Sequence, residues 1–216
     1  MSHYRLHCVG ESGNSYKVAL MLELCGLSWE PIFVDYFHGA TRVEEYRERL
    51  NEMGEVPALE ADGKLLTQSG AILTWLAQKT GKFGGRNDDE KLEILRWMLF
   101  DNHKFTSYFA TLRFLVGIDK KGDPAVIQFL RGRVLGAFQI VEKHLAKRAF
   151  LLGDSPTIAD FSLVGYHYYP EETSVDRNEF PNLTAWTRRI AELPGWKHPY
   201  DLMPRGLKAT ESSETS

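Results

Sequence analysis

The sequence predicts an α/β unit followed by an all-α unit. Two observations carry this. Early in the chain, short β-rich runs alternate with helical patterns in the order β-α-β-α-β-β-α. After a glycine-rich, charged stretch at 82–90 (KFGGRNDDE), nearly every segment has helical periodicity. The length, 216 residues and 24.7 kDa, suits one large domain or two modest ones and can bury a substantial core.

The elements follow in order. Residues 4–9 are rich in β-formers and read as a strand. From Ser15, the residues Val18, Met21, Leu22 and Cys25 fall at i, i+3, i+4 and i+7 on one helical face, and Gly26 supplies the stop. Residues 29–36 read as a second strand, which Pro31 confines to an edge or to a pairing that spares the missing N–H. A short charged helix covers 43–50. Asp62-Gly63 is a hairpin signal between two short β-runs within 57–67. A helix then starts with Ser69 as N-cap and stops at Gly81. The helix between the first two strands implies a parallel pair, and the hairpin an antiparallel one.

In the second part, Asp88 or Asp89 is expected to cap a long segment reaching about residue 116. Gly122-Asp123-Pro124 breaks it and starts another, to about 147. Thr157-Ile158-Ala159-Asp160 is a capping-box-like start for a buried helix, and Asp160 is read as structural. A further helix covers about 183–192. The sequence divides into 1–81, 88–205 and a polar tail at 206–216 expected to be mobile.

The composition excludes several classes. Hydrophobic residues make up 43%, charged residues 25%, and the formal net charge is -3, so nothing points to a nucleic acid or a membrane surface as partner. The only two cysteines, Cys8 and Cys25, match neither a redox C-x-x-C nor a zinc pattern, and no metal is expected. MSHYRLHC lacks the features of a signal peptide, and no run is long enough to span a bilayer. A cytoplasmic location is expected.

Five motifs stand in a telling order: SGNSYKVALMLELCGLSWE, GEVPAL (54–59), LTQSGAIL (66–73), SPTIADFSL (155–163) and FPNLTAWTRRIAELPGW. In order and spacing they resemble the cytosolic glutathione S-transferases, over nearly all of residues 4–200. The resemblance implies a thioredoxin-like N-terminal domain that binds glutathione and a helical-bundle C-terminal domain that holds a small hydrophobic electrophile. It also implies a homodimer. Two departures are visible: Asn51-Glu52 replaces Asn-Pro, and Gln68-Ser69 replaces Glu-Ser.

The resemblance assigns roles to individual residues. Val56-Pro57 would carry a cis bond and present the Val56 backbone to the ligand peptide. Ser69 sits at a helix start, which suits a carboxylate. Gln68 would meet the ligand's α-amino end, more weakly than a glutamate, with Asp101 of the partner subunit as an aid. Arg42 is favoured over His38 for the glycine carboxylate. The turn GESGNSYKV (10–18) would aim a hydroxyl at the glutathione sulfur. It is similar to the zeta-class pattern S-S-C-S-W-R-V, which makes Ser12 the candidate catalytic residue, with Asn14 as runner-up; a plain helix cap is the competing reading of both. Tyr4 lies too early in the strand to serve. Tyr108, Phe109 and Arg113 are expected in the electrophile pocket, with the 166–172 segment as a further contributor. Both cysteines are expected to pack as small hydrophobes. Glutathione-dependent isomerisation, disulfide or peroxide reduction, and a non-catalytic binding module stand as alternatives.

Overall fold

In the computed structural model, residues 3–207 are described. The polar tail expected at residues 206–216 falls mostly outside them; the two residues inside, Gly206 and Leu207, are tied down, their N–H groups donating to the Glu11 carboxylate at 2.9 and 3.0 Å.

The first part is a four-stranded sheet in the order β2-β1-β3-β4, formed by β1 (Tyr4–Cys8), β2 (Trp29–Phe33), β3 (Ala58–Ala61) and β4 (Lys64–Thr67). β1 pairs parallel with β2 and antiparallel with β3, and β3 pairs antiparallel with β4, as the element order predicts. β2 lies at the edge, so Pro31 costs no ladder bond in the sheet interior. Helices α1 (Gly13–Cys25), α2 (Glu44–Arg49) and α3 (Ser69–Thr80) complete this half. The second half holds α4 (Asp88–Phe100), α5 (Thr106–Arg113), α6 (Pro124–Leu145), α7 (Ile158–Val164), α8 (Pro181–Ala191) and a short α9 (Pro199–Leu202) that the sequence did not reveal.

Two caps and one helix start differ from expectation. Asn87, not Asp88 or Asp89, caps α4: its Oδ1 accepts from Glu90 N at 2.9 Å, which leaves three acids in the first turn facing the helix dipole. Gln68, not Ser69, occupies the N-cap position of α3, because its left-handed backbone (φ 66°) turns the chain directly into the helix. α1 begins at Gly13 rather than Ser15, with Ser12 as its cap. The Thr157–Asp160 capping box is present, and Asp160 also accepts from Leu151 N and Trp186 Nε1, so it is structural.

The long helical segment after Asn87 is interrupted by two π-helical turns, Asp101–Phe105 and Phe114–Ile118. Each inserts a residue and so rotates the following face by about 100°. One hydrophobic core runs from the sheet residues Leu6 and Leu59 through α1 to Phe138 and Trp186 of the helical half. The glycine-rich connection is not a loose tether: Phe83 stacks edge-on against Phe161, and its C=O accepts from Ile158 N at 2.9 Å. Among the described residues no helix is long and apolar enough to cross a membrane.

An ion pair crosses the junction of the halves. Lys17 Nζ lies 2.7 Å from Asp101 Oδ2, and both side chains are fully buried. Ser162 Oγ donates to the same carboxylate at 2.7 Å, and Thr106 donates to its other oxygen. Removing one member strands the other charge in the core, at about 3–5 kcal/mol. Lys17→Met is therefore expected to lower the urea-unfolding stability by about that amount, and Lys17→Met/Asp101→Leu by less. Equal loss in the two variants at the same protein concentration would contradict this.

Candidate functional site

The turn between β1 and α1 is assembled from both halves of the chain. Ser12 caps α1, its Oγ accepting from Ser15 N at 3.2 Å. Gly10 N donates to Pro204 C=O at 2.7 Å, and Gly10 C=O accepts from the Tyr169 hydroxyl at 2.8 Å. Glu11 C=O accepts from Arg113 Nη1 at 2.8 Å. Tyr166 packs on Gly13 so closely that a Cβ there would stand 2.4 Å from its ring.

A cavity of about 320 Å³ opens above this turn. Its polar wall includes Ser12, Asn14 and Glu55; its apolar wall includes Phe37, Val56, Phe114 and Ile118. Tyr36 and Phe114, 43% and 40% exposed, bracket it with apolar surface open to solvent. A smaller recess of about 40 Å³ adjoins it, lined by Pro57, Gln68, Ser69, Asn51 and Asn102 among others. Asn14, Glu55 and Val56 line both.

Most residues expected to hold the peptide ligand are therefore brought together. The Val56–Pro57 bond is cis, and Val56 precedes the strand ladder, which begins at Ala58. Ser69 is buried at the start of α3, beside the free N–H groups of its first turn. The Gln68 side chain is engaged within the protein. Its Nε2 donates to Glu55 Oε2 at 2.8 Å, so it orients a carboxylate that the sequence reading missed. A positive φ on a non-glycine residue stores of order 1–3 kcal/mol, and such strain concentrates at functional sites.

Other expectations are corrected. Asp101 cannot serve a partner's site, because it is fully buried against Lys17. Arg42 and His38 lie on the 3-10 turns after β2 and line neither cavity; Arg42 is exposed and His38 pairs with Asp35. Phe109 is 1% exposed and packs on the His167 ring at 5.2 Å, inside the core. Burial among these rings pushes the His167 pKa well down. Tyr108 packs half-buried against the core and does not line the cavity. The π-turns explain both misplacements: residues of the second one, Phe114 and Ile118, take the cavity-lining positions. Arg113 does line the cavity, but its guanidinium is bound to Glu171 at 2.8 Å and stacked 4.0 Å over Tyr169. Burial works against the Glu171 carboxylate, yet the Tyr200 hydroxyl and Arg113 hold its pKa below the usual value.

Of the two serines in the turn, Ser15 is fully buried and lines neither cavity, whereas Ser12 lines the larger one. Tyr4 is buried in the core. Cys8 is fully buried in β1, and burial pushes its thiol up to about 12. Among the described residues no group of three or more His, Cys, Asp or Glu side chains is arranged to hold a metal ion.

Two family models match the chain: the glutathione S-transferase N-terminal domain over residues 11–79 and the glutathione S-transferase C-terminal domain over residues 105–194. The chain is similar to a maleylacetoacetate isomerase from Rhizobium meliloti (strain 1021), with 33% identity covering 87% of this chain and 92% of that protein. It is similar to glutathione S-transferase F14 of Arabidopsis thaliana, with 28% identity covering 94% of this chain and 87% of that one. Among solved structures, it resembles a glutathione S-transferase from Pseudomonas fluorescens Pf-5 at a TM-score of 0.83 and 30% identity, covering 91% of this chain and 98% of the other.

The burial of Cys8 has a direct consequence. In the native protein near neutral pH it should not react with a disulfide reagent over minutes, and it should react fully once the protein is unfolded. Rapid native modification of Cys8, mapped by mass spectrometry, would show a thiol open to the cavity.

Proposed function

This chain belongs to the cytosolic glutathione S-transferase family, and we propose that it is a transferase in which Ser12 holds the thiolate of glutathione for attack on a small apolar electrophile. The observation that carries the reading is the shared cavity. It sets the Ser12 hydroxyl, Val56 beside its cis proline and the start of α3 next to an apolar wall open to solvent.

The energetics suffice. A free thiol ionises near 8.5, and lowering that by one to two units needs roughly 1.4–2.8 kcal/mol. A hydrogen bond to a charged group contributes about 1.5–3 kcal/mol, and a helix N-terminus about 0.3–1 kcal/mol. Ser12 stands at the N-terminus of α1, so both terms act on one atom. Ser12 keeps its proton and donates it as a hydrogen bond; the sulfur is the nucleophile.

The γ-glutamyl carboxylate is assigned to the N-terminus of α3 at Ser69, and the α-ammonium group to Glu55, held by Gln68. Asn14, where the two cavities meet, faces the middle of the peptide. Arg42 carries no part of this assignment.

A glutathione-dependent isomerase acting on a diacid is the second reading, favoured by the similarity to the Rhizobium protein. Charge weighs against it. Among the described residues lining the larger cavity the cation is Arg113, already paired with Glu171, while Glu11 and Glu55 are acidic. A dianion would find no unpaired positive group there. Reduction through a protein thiol is disfavoured by the burial of Cys8.

We place the homodimer contact on α3 and α4, where Leu92, Leu95 and Leu99 of α4 are 66%, 51% and 60% exposed along one side. With neither cysteine in a disulfide, a reducing cytoplasm fits.

The test is the ultraviolet absorbance of bound glutathione thiolate as a function of pH. Wild type should show bound thiolate near neutral pH, and Ser12→Ala should move the transition up by about one to two pH units. Coincident curves would remove Ser12 from its role. No binding at all would favour a non-catalytic module. Glu55→Gln should weaken glutathione about threefold. Gln68→Glu should weaken it as well, by setting a second carboxylate against Glu55; tighter binding would contradict the Glu55 assignment.

A further inference from the structure

We propose that Asn102, on the first π-turn of the helical half, is a binding residue: its side-chain amide donates to the γ-glutamyl carboxylate at the start of α3 and so selects ligands that carry a carboxylate there. The inference rests on the transferase reading and deepens it.

The fold places this side chain. Asn102 follows Asp101, whose carboxylate is buried against Lys17 and anchors the π-turn to α1. The Asn102 side chain is left exposed and lines the recess together with Glu55, Gln68 and Ser69. The helical half can approach α3 this closely because residue 70 is a glycine. A Cβ there would stand 3.1 Å from Met98 Cε and 3.9 Å from Asn102 Nδ2. Ile72 N donates to Gln68 C=O, so the N–H groups of Ser69, Gly70 and Ala71 have no partner inside the helix. The Asn102 amide thus stands beside the free donors of the first turn of α3.

Elimination among the amides of the recess gives the role. Gln68 Nε2 donates to Glu55 Oε2 at 2.8 Å and to Met53 Sδ at 2.9 Å. Asn51 Nδ2 donates to Glu55 C=O at 2.9 Å, and its Oδ1 accepts from Met53 N at 3.1 Å. Both amides are committed to holding the loop before Pro57. Asn14 stands where the recess meets the larger cavity. The Asn102 side chain has no hydrogen-bond partner among the described residues, so both hydrogens on its nitrogen are available to a ligand.

Charge fixes which ligand group it meets. The γ-glutamyl end of glutathione carries an ammonium group and a carboxylate. Among the described residues lining the recess, Glu55 is the charged one, and no lysine or arginine is present. Glu55 suits the ammonium group. The carboxylate is then held by neutral donors, the free N–H groups of α3 and the Asn102 amide beside them. A hydrogen bond to an ionised acceptor is roughly twice as strong as one between neutral groups, so its loss is readable in affinity.

The experiment measures glutathione affinity by calorimetry in wild type, Asn102→Ala and Asn102→Asp, together with the urea unfolding of each. Asn102→Ala should weaken glutathione about five- to tenfold. Asn102→Asp should weaken it further, because it sets a carboxylate against the carboxylate of the ligand. The exposed position predicts unfolding midpoints equal to that of wild type. The thiolate transition of bound glutathione should stay in place, since the amide meets the end of the ligand remote from sulfur. Unchanged affinity in Asn102→Ala would overturn the proposal. Tighter binding by Asn102→Asp would also overturn it, because the position would then face the ammonium group. Weakening that comes with a matching loss of unfolding stability, or with a shifted thiolate transition, would make the residue structural and overturn it too. Failure of wild type to bind glutathione would overturn the transferase reading and this assignment with it, whereas tight binding indifferent to residue 102 would remove the assignment alone.

Discussion

The turn from Gly10 to Asn14 is held by residues far from it in sequence. Tyr169 fixes Gly10, Arg113 fixes Glu11, Tyr166 lies over Gly13, and Pro204 to Leu207 close the other side. A strand-to-helix turn of this length has few internal hydrogen bonds to define it. Here the helical half supplies them, so the position of Ser12 depends on how the two halves dock. The docking depends in turn on the Lys17–Asp101 pair, buried where α1 meets the first π-turn. A buried ion pair contributes little net stability, but it tolerates only one arrangement of its partners. That suits a junction that fixes the turn carrying Ser12.

Charge in the cavity is arranged with the same economy. Each strong charge near the turn is already matched: Arg113 by Glu171, and Glu11 by backbone N–H groups. Glu55 alone faces the recess with an amide, not a cation, as its partner. This leaves one negative group in the recess beside an otherwise near-neutral, apolar cavity. It also explains why glutamine stands at position 68: a glutamate there would repel Glu55.

Much of the site was legible in the sequence because it is local. Ser12 as a cap, the cis Val56–Pro57 and the α3 start at Gln68-Ser69 are each set within a few residues, and their order identified the family. The apolar wall was not legible. Tyr108 and Phe109 follow helical spacing, but the π-turn at Asp101–Phe105 shifts the face ahead of them, and the one at Phe114–Ile118 takes over the cavity. A π-turn leaves no periodic trace in one sequence. Asp101 was assigned to the site of a partner subunit because its own ion-pair partner, Lys17, is distant in the chain. Arg113 was found, but its commitment to Glu171 depends on tertiary packing. Glu55 was passed over because the neighbouring valine and proline drew the reading. A signal was present: an acid immediately before that pair, with a glutamine at the next recognition turn.

The central claim is that the helical half sets the turn. The most direct measurement is amide hydrogen exchange at residues 10–15 in wild type and in Tyr169→Phe, which removes only the hydroxyl bound to Gly10 C=O and touches neither cavity. The account predicts that exchange in the turn speeds up by about three- to tenfold, the loss of one hydrogen bond, while the interior of α6 is unchanged. Unchanged protection at residues 10–15 would mean that the turn holds itself, and would contradict the account.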